Sequence, residues 1–208
     1  MKKSDFNISH IEFLNWITWY GDFLQRLIES KLVVRTKFEK LELLEAFVLR
    51  TTVRWEVLVT DDIITSLNRD LSEYAKALNL KLRKYLSRDE CKAILYGYRY
   101  LDFKSIDDLK SFGRKYLVQK LNPFEAIKKT DAQKINEFLT MRNLLAHYCD
   151  LAWRSYKTFM KNRYRYTRIP EPGEFSIALN RSGEYRWSEY FRAFGKPSDD
   201  MMEKVKKV

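Results

Sequence analysis

Residues 37–69 run for thirty-three positions without a glycine or a proline, and their apolar side chains recur at helical spacing: Phe38, Leu44, Phe47, Val48, Trp55, Leu58, Ile63, Leu67. Such a stretch predicts one long helix, or two helices meeting at a kink. An element that long forces the rest of the chain to pack along it. Neighbouring segments repeat the pattern. Residues 9–30 carry Ile11, Leu14, Ile17, Leu24, Leu27 and Ile28 near a 3.6-residue period. A shorter helix is predicted over 71–86. Ser87-x-x-Glu90 reads as a capping box that opens a helix reaching Tyr100, and Ser105 starts another that ends near Val118. Asn122-Pro123 pairs an N-cap residue with proline at the first helical position. Thr130-x-x-Gln133 reads as a second capping box, opening a helix from 131 to about 162. Past that point the character changes. Glu171-Pro172-Gly173 is a turn signal; Phe175, Ile177 and Leu179 alternate with polar residues; Asn180-Arg181-Ser182-Gly183 intervenes; Tyr185 and Trp187 alternate again. This predicts a β-hairpin, with Phe175, Tyr185 and Trp187 on its apolar face, followed by a polar helix after Ser198. The expected architecture is mainly α: an antiparallel helical bundle over residues 1–165, with a C-terminal appendage over 166–208 holding the hairpin and the last helix.

Charge and rare residues narrow the partners. The 208 residues hold 39 Lys and Arg against 28 Asp and Glu, a surplus of +11 that attracts polyanions such as RNA. The two cysteines, Cys91 and Cys149, exclude a disulfide scaffold and point to a reducing, cytoplasmic setting. A zinc site would need both cysteines and both histidines, His10 and His147, to converge with no C-x-x-C pair; no metal and no cofactor is expected. No P-loop or G-x-G-x-x-G occurs. Asp108-Leu109-Lys110 lacks the preceding Pro-Asp of a metal-dependent nuclease pattern. Neither a signal core nor a membrane-spanning run is visible, so no membrane partner is expected. His10 reads as a capping or exposed residue, and Asp61-Asp62 as a solvated helix face.

The helix from 131 concentrates the chemistry. One stripe, Ile135, Phe138, Leu139, Arg142, Leu145, Cys149, Ala152 and Tyr156, is apolar except for Arg142. The opposite stripe holds Asn136, Thr140, Asn143, His147, Asp150 and Arg154, with Asn143 and His147 one turn apart. A guanidinium at the edge of a packed face needs a carboxylate, a phosphate or water. Glu56 in Arg54-Trp55-Glu56 is the expected partner, with Glu45, Asp61 and Asp62 as rivals on the same segment.

Met141-Arg142-Asn143-Leu144-Leu145-Ala146-His147-Tyr148 resembles the signature of the HEPN superfamily: arginine, a polar residue that is often asparagine, three more residues, then histidine, late in a helical bundle. With Leu43 to Phe47 and Trp55-Glu56, which resemble the family's earlier helix, the likeness extends over residues 37–160. The resemblance implies a homodimer in which both signature helices face one cleft. It also implies metal-independent RNA cleavage by the ribose 2′-hydroxyl, with Arg142, Asn143 and His147 catalytic and Glu56 and Tyr148 supporting. In one toxin branch a tyrosine two positions after the histidine is modified; here Tyr148 follows directly and position 149 is cysteine, so that regulation is not carried over. The residues suit the chemistry by themselves: histidine moves protons near neutrality, and arginine holds phosphate oxygens with a planar, permanent cation. The expected function is a metal-independent endoribonuclease of the toxin or antiviral-defence kind, with RNA, a second copy and an antitoxin or regulatory protein as partners. The alternatives are a non-catalytic RNA-binding or scaffold module of the same family, and a regulatory subunit held by another protein.

A second basic stretch invites two readings. Lys161, Arg163, Tyr164, Arg165, Tyr166 and Arg168 interleave cations with rings, which suits single-stranded RNA. The same composition suits a helix C-terminus whose cations answer the macrodipole while its tyrosines pack on the bundle.

Overall fold

A computed structural model describes residues 5–30, 36–98 and 103–206. The chain is mainly α-helical. Helix α1 (Phe6–Glu29) and α2 (Lys37–Arg69) lie side by side, and α2 is a single helix over the whole uninterrupted run. Its start is fixed by a capping box: the Glu39 amide donates to Thr36 Oγ1 at 3.1 Å, and the Thr36 amide donates to Glu39 Oε2 at 2.8 Å. Then come α3 (Ser72–Ala77), α4 (Arg88–Tyr98), α5 (Ile106–Tyr116), two 3₁₀ turns (Gln119–Leu121 and Pro123–Ala126), α6 (Lys129–His147), α7 (Asp150–Tyr164), α8 (Pro172–Ile177) and α9 (Arg186–Lys206). Ser87, Ser105 and Asn122 cap as their sequence positions predict.

Several local expectations are corrected. The helix predicted over 71–86 stops at Ala77, because Asn79 takes the left-handed conformation (φ 51°) and the Leu80 amide returns to the Ala75 carbonyl at 2.8 Å, a Schellman-type ending. Thr130 is not an N-cap, since it lies inside the first turn of α6, which starts at Lys129. The long helix from 131 is two helices. Tyr148 is left-handed (φ 40°, ψ 40°), Cys149 is extended, and α7 folds back antiparallel along α6. Lys134 and Glu137 on α6 meet Arg163 and Tyr164 at the far end of α7, and these contacts hold the helical hairpin closed. Such contacts offset the roughly 1–2 kcal/mol that a non-glycine residue loses in the left-handed region.

The predicted β-hairpin does not form either. Glu171-Pro172-Gly173 is a helix start, not a turn: Pro172 occupies the first helical position, and Glu171 and Glu174 form a capping box. Phe175 and Ile177 therefore sit on α8. Only an isolated bridge, Leu179 to Tyr185, remains around the Asn180–Gly183 turn, and no strand forms among the described residues. Both bridge residues are exposed, so no apolar face exists to stabilise a hairpin. The last helix begins twelve residues before Ser198, at Arg186, and is amphipathic.

Helices α8 and α9 contribute Phe175, Trp187, Tyr190, Phe194 and Met201 to the same core as α1, α2 and α6. Phe138 of α6 sits at its centre, with Phe47, Tyr190 and Phe194 at 5.8, 4.9 and 5.2 Å between ring centroids. Rings at such separations add about 0.5–1.5 kcal/mol each beyond area burial. Glycine is required at 173, where a Cβ would lie 2.8 Å from the Leu41 carbonyl oxygen; α8 thus seats directly on the α2 backbone. This packing fixes α2 against α6, and so sets the distance between Glu56 and Arg142. No helix among the described residues is long and apolar enough to cross a membrane.

Candidate functional site

The tip of the α6–α7 hairpin brings the signature residues to the surface. Arg142 lies a turn and a half before the end of α6, where its side chain is 22% exposed. Its Nη2 reaches Glu56 Oε1 on α2 at 3.2 Å, and its Nη1 donates to Asn143 Oδ1 at 3.1 Å. Of the four candidate carboxylates, Glu56 is the one that meets Arg142. Glu45 instead accepts the Gly173 amide at 3.1 Å, and burial is the main influence raising its carboxyl above the usual range. Asp61 pairs with Arg88, and Asp62 with His10. Because the Glu56 side chain is 45% exposed, the ion pair adds at most about 1 kcal/mol to stability. Its larger consequence is to fix the guanidinium in one orientation.

His147 is the last residue of α6 and is exposed. Together Arg142, Asn143 and His147 line one open cleft of about 360 Å³. Lys104, just before α5, adds a second cation to the lining, Glu56 a carboxylate, and Thr140 and Ser155 hydroxyls. The same cleft is also lined by the apolar side chains of Phe103, Leu139, Leu151 and Ala152. Tyr148 does not join the lining. It ends α6 and is 73% exposed, and its hydroxyl is held above the usual range first by the negative charge of Glu171, then by burial, Glu45 and Glu42. Among the described residues no cluster of three or more His, Cys, Asp or Glu side chains suits a metal ion.

The basic stretch is divided by the fold. Tyr164 donates to Glu137 Oε2 at 2.7 Å and packs on Phe175; Tyr166 packs against Phe175 and Tyr164. Burial, then the Glu137 carboxylate, raises the Tyr164 hydroxyl far above its usual range. Arg163 is 3.3 Å from both Glu137 and Gln133. Lys161, Arg165 and Arg168 are exposed. Both rings therefore serve the bundle, which matches the helix-end reading, and Lys161, Arg165 and Arg168 stay on the surface with the half-exposed Arg163.

His10 is neither a cap nor exposed. It is fully buried, with Nδ1 2.8 Å from Ser198 Oγ and Nε2 3.0 Å from Asp62 Oδ1. Asp62 is correspondingly not on a solvated face, and its burial raises its carboxyl above the usual range. The order Ser–His–Asp has the connectivity of a hydrolase triad, yet all three side chains are 0% exposed, so the hydroxyl has no path to a substrate. The trio ties α1, α2 and α9 together.

Sequence reasoning missed Phe103, Lys104, Leu151 and Ser155, which reach the cleft from outside the signature helix; nothing in their local pattern marks them. No family model matches the chain, and no curated protein and no solved structure matches it. What fold and site define is therefore a class: a helical, basic protein with an open arginine–asparagine–histidine cleft.

Proposed function

We propose that this chain is a metal-independent endoribonuclease of the HEPN kind. One observation carries the reading: Arg142, Asn143 and His147 line a single open cleft, and Glu56 on a second helix orients the guanidinium. In the proposed reaction His147 takes the proton of a ribose 2′-hydroxyl, whose oxygen attacks the adjacent phosphorus. Arg142 neutralises the charge that builds on the non-bridging oxygens, and Asn143 holds Arg142 or a phosphate oxygen. The bond to the 5′-oxygen breaks, and that oxygen takes up a proton, leaving a 2′,3′-cyclic phosphate and a 5′-hydroxyl. Base and acid stand on opposite sides of the phosphorus, so two imidazoles serve better than one; a second copy related by a two-fold axis supplies the other His147. Such an enzyme threatens its own cell's RNA, which calls for an antitoxin or regulator and suits a toxin or defence effector.

The second reading, a non-catalytic RNA-binding or scaffold module, draws on the same geometry: the Arg142 guanidinium already has both Glu56 and Asn143 as partners. A digest separates the two. Purified protein incubated with RNA in excess EDTA should cut, and His147→Ala should lower the rate by roughly 10²–10⁴-fold. Binding without cleavage supports the module; cleavage that EDTA abolishes, or full activity in His147→Ala, overturns the nuclease.

A further inference from the structure

The cleft has a mixed lining, and the proposed reaction uses only its polar part. Lys104, Arg142, Asn143 and His147 supply polar groups, Glu56 a carboxylate paired with Arg142, and Phe103, Leu139, Leu151 and Ala152 apolar surface. At about 360 Å³ it is of the size that encloses a small ligand rather than a helix or a strand. A nucleotide has the matching chemistry, an anion at one end and a flat apolar ring at the other.

Phe103 supplies the phenyl ring of that lining. Its ring is partly buried, and Phe112 abuts it edge-on, with centroids 5.4 Å apart and planes at 74°. Phe112 is itself a buried core residue of α5. The ring is thus braced from behind and lines the cleft in front. A pre-ordered ring loses little freedom when a base stacks on it. Lys104 follows directly, is exposed, and lines the same cleft. A ring and a cation on adjacent residues can engage a base and its phosphate together.

We propose that this cleft is a one-nucleotide pocket for single-stranded RNA. The base next to the scissile phosphate stacks on Phe103, and Lys104 contacts a backbone phosphate. This rests on the nuclease reading for its orientation but not for its binding chemistry. A base seated in the cleft is out of its own stack, so the pocket accepts unpaired RNA and refuses duplex.

The test is equilibrium binding, which needs no turnover. A fluorescein-labelled ten-nucleotide single-stranded RNA and a blunt duplex of the same sequence are titrated with His147→Ala protein, with anisotropy as the readout. Single strand should bind at least tenfold more tightly than duplex. Adding Phe103→Ala should weaken single-strand binding roughly 10- to 100-fold. Phe103→Leu, which keeps apolar volume for Phe112, should weaken it nearly as much, and Phe103→Trp should restore it. Lys104→Gln should lower the salt slope by about one contact. Affinities of Phe103→Leu within twofold of the parent, or equal binding of duplex, would overturn the pocket. Phe103-dependent binding by a wild type that never cleaves removes the nuclease and keeps the pocket. Cleavage by a wild type whose Phe103 variants bind normally does the reverse.

Discussion

Replacing His10 with leucine probes the internal network most sharply. In the folded protein His10 links α1 to Asp62 on α2 and to Ser198 on α9, at 3.0 and 2.8 Å, with all three side chains 0% exposed. Asp62 Oδ2 has no hydrogen-bond partner, so the imidazole is the carboxyl's main compensation. His10→Leu keeps apolar bulk but leaves a buried carboxyl and a buried hydroxyl without their partner. Breaking a buried pair from one side costs about 3–5 kcal/mol. For a chain of 208 residues each kcal/mol moves the melting midpoint by about 2–4 °C, so a fall of roughly 6–20 °C is expected in a calorimetric or circular-dichroism melt. The pH dependence has a definite sign. Burial raises the Asp62 carboxyl above its ordinary value of 3.8, while the hydrogen bond and charge of His10 pull it back. A carboxyl raised in the folded state contributes stability below its unfolded value and loses it as pH rises through the folded value. Removing His10 lifts that folded value further, so the deficit against wild type should be larger at pH 7–8 than near pH 4. The double variant His10→Leu/Asp62→Leu should recover much of the loss, because no charge is then buried. A single variant that melts within 2 °C of wild type, or a deficit that grows toward acid, would refute the reasoning.

Further outcomes follow from other contacts. Glu56→Gln should leave the melting midpoint within about 4 °C, as suits a half-exposed ion pair, while lowering the initial cleavage rate at least tenfold on the proposed function; an unchanged rate would remove Glu56 from the site. Gly173→Ala should cost about 1–3 kcal/mol, since the new Cβ meets the Leu41 backbone at 2.8–3.0 Å; an unshifted thermal melt would argue against the seating of α8 on α2. Iodoacetamide at pH 8 should modify Cys149, which is exposed, and spare Cys91, whose thiol is buried and pushed up to about 11; intact mass should rise by a single adduct, and two adducts on folded protein would contradict the packing of α4.

The parts of this fold legible in the sequence are those set by local rules. Helix α2 begins and ends where its periodicity does, and Ser87, Ser105 and Asn122 cap because their side chains reach the next turn regardless of what surrounds them. The sequence places Glu56 among four candidate partners for Arg142 on α2, and only the packing of α2 against α6 selects it. The misses are tertiary. Tyr148 has no sequence mark of a left-handed residue; the hairpin there is enforced by Glu137, Arg163 and Tyr164, far from the bend. Phe175 and Ile177 alternate over too few positions to distinguish a strand from one helical turn, and the proline that suggested a turn instead starts α8. His10 was misplaced because α1 starts at Phe6, capped by Asp5, so that His10 falls on the buried face with Phe6, Phe13 and Ile17. Of the site, the trio was readable and Leu139 and Ala152 lay on a visible apolar stripe, while Phe103, Lys104, Leu151 and Ser155 come from a loop and a second helix with no mark of their own.

The most direct measure of whether Arg142 and His147 cut RNA is the chemistry of the ends they leave. Fragments made by the wild-type protein in EDTA should carry 5′-hydroxyls that accept phosphate from polynucleotide kinase without prior dephosphorylation, and 2′,3′-cyclic phosphates by mass spectrometry; over the time in which wild type completes the digest, neither should be detectable with Arg142→Ala or His147→Ala. Ends bearing a 5′-phosphate and a 3′-hydroxyl, or the same fragments from either variant, would contradict attack by the 2′-hydroxyl at this cleft.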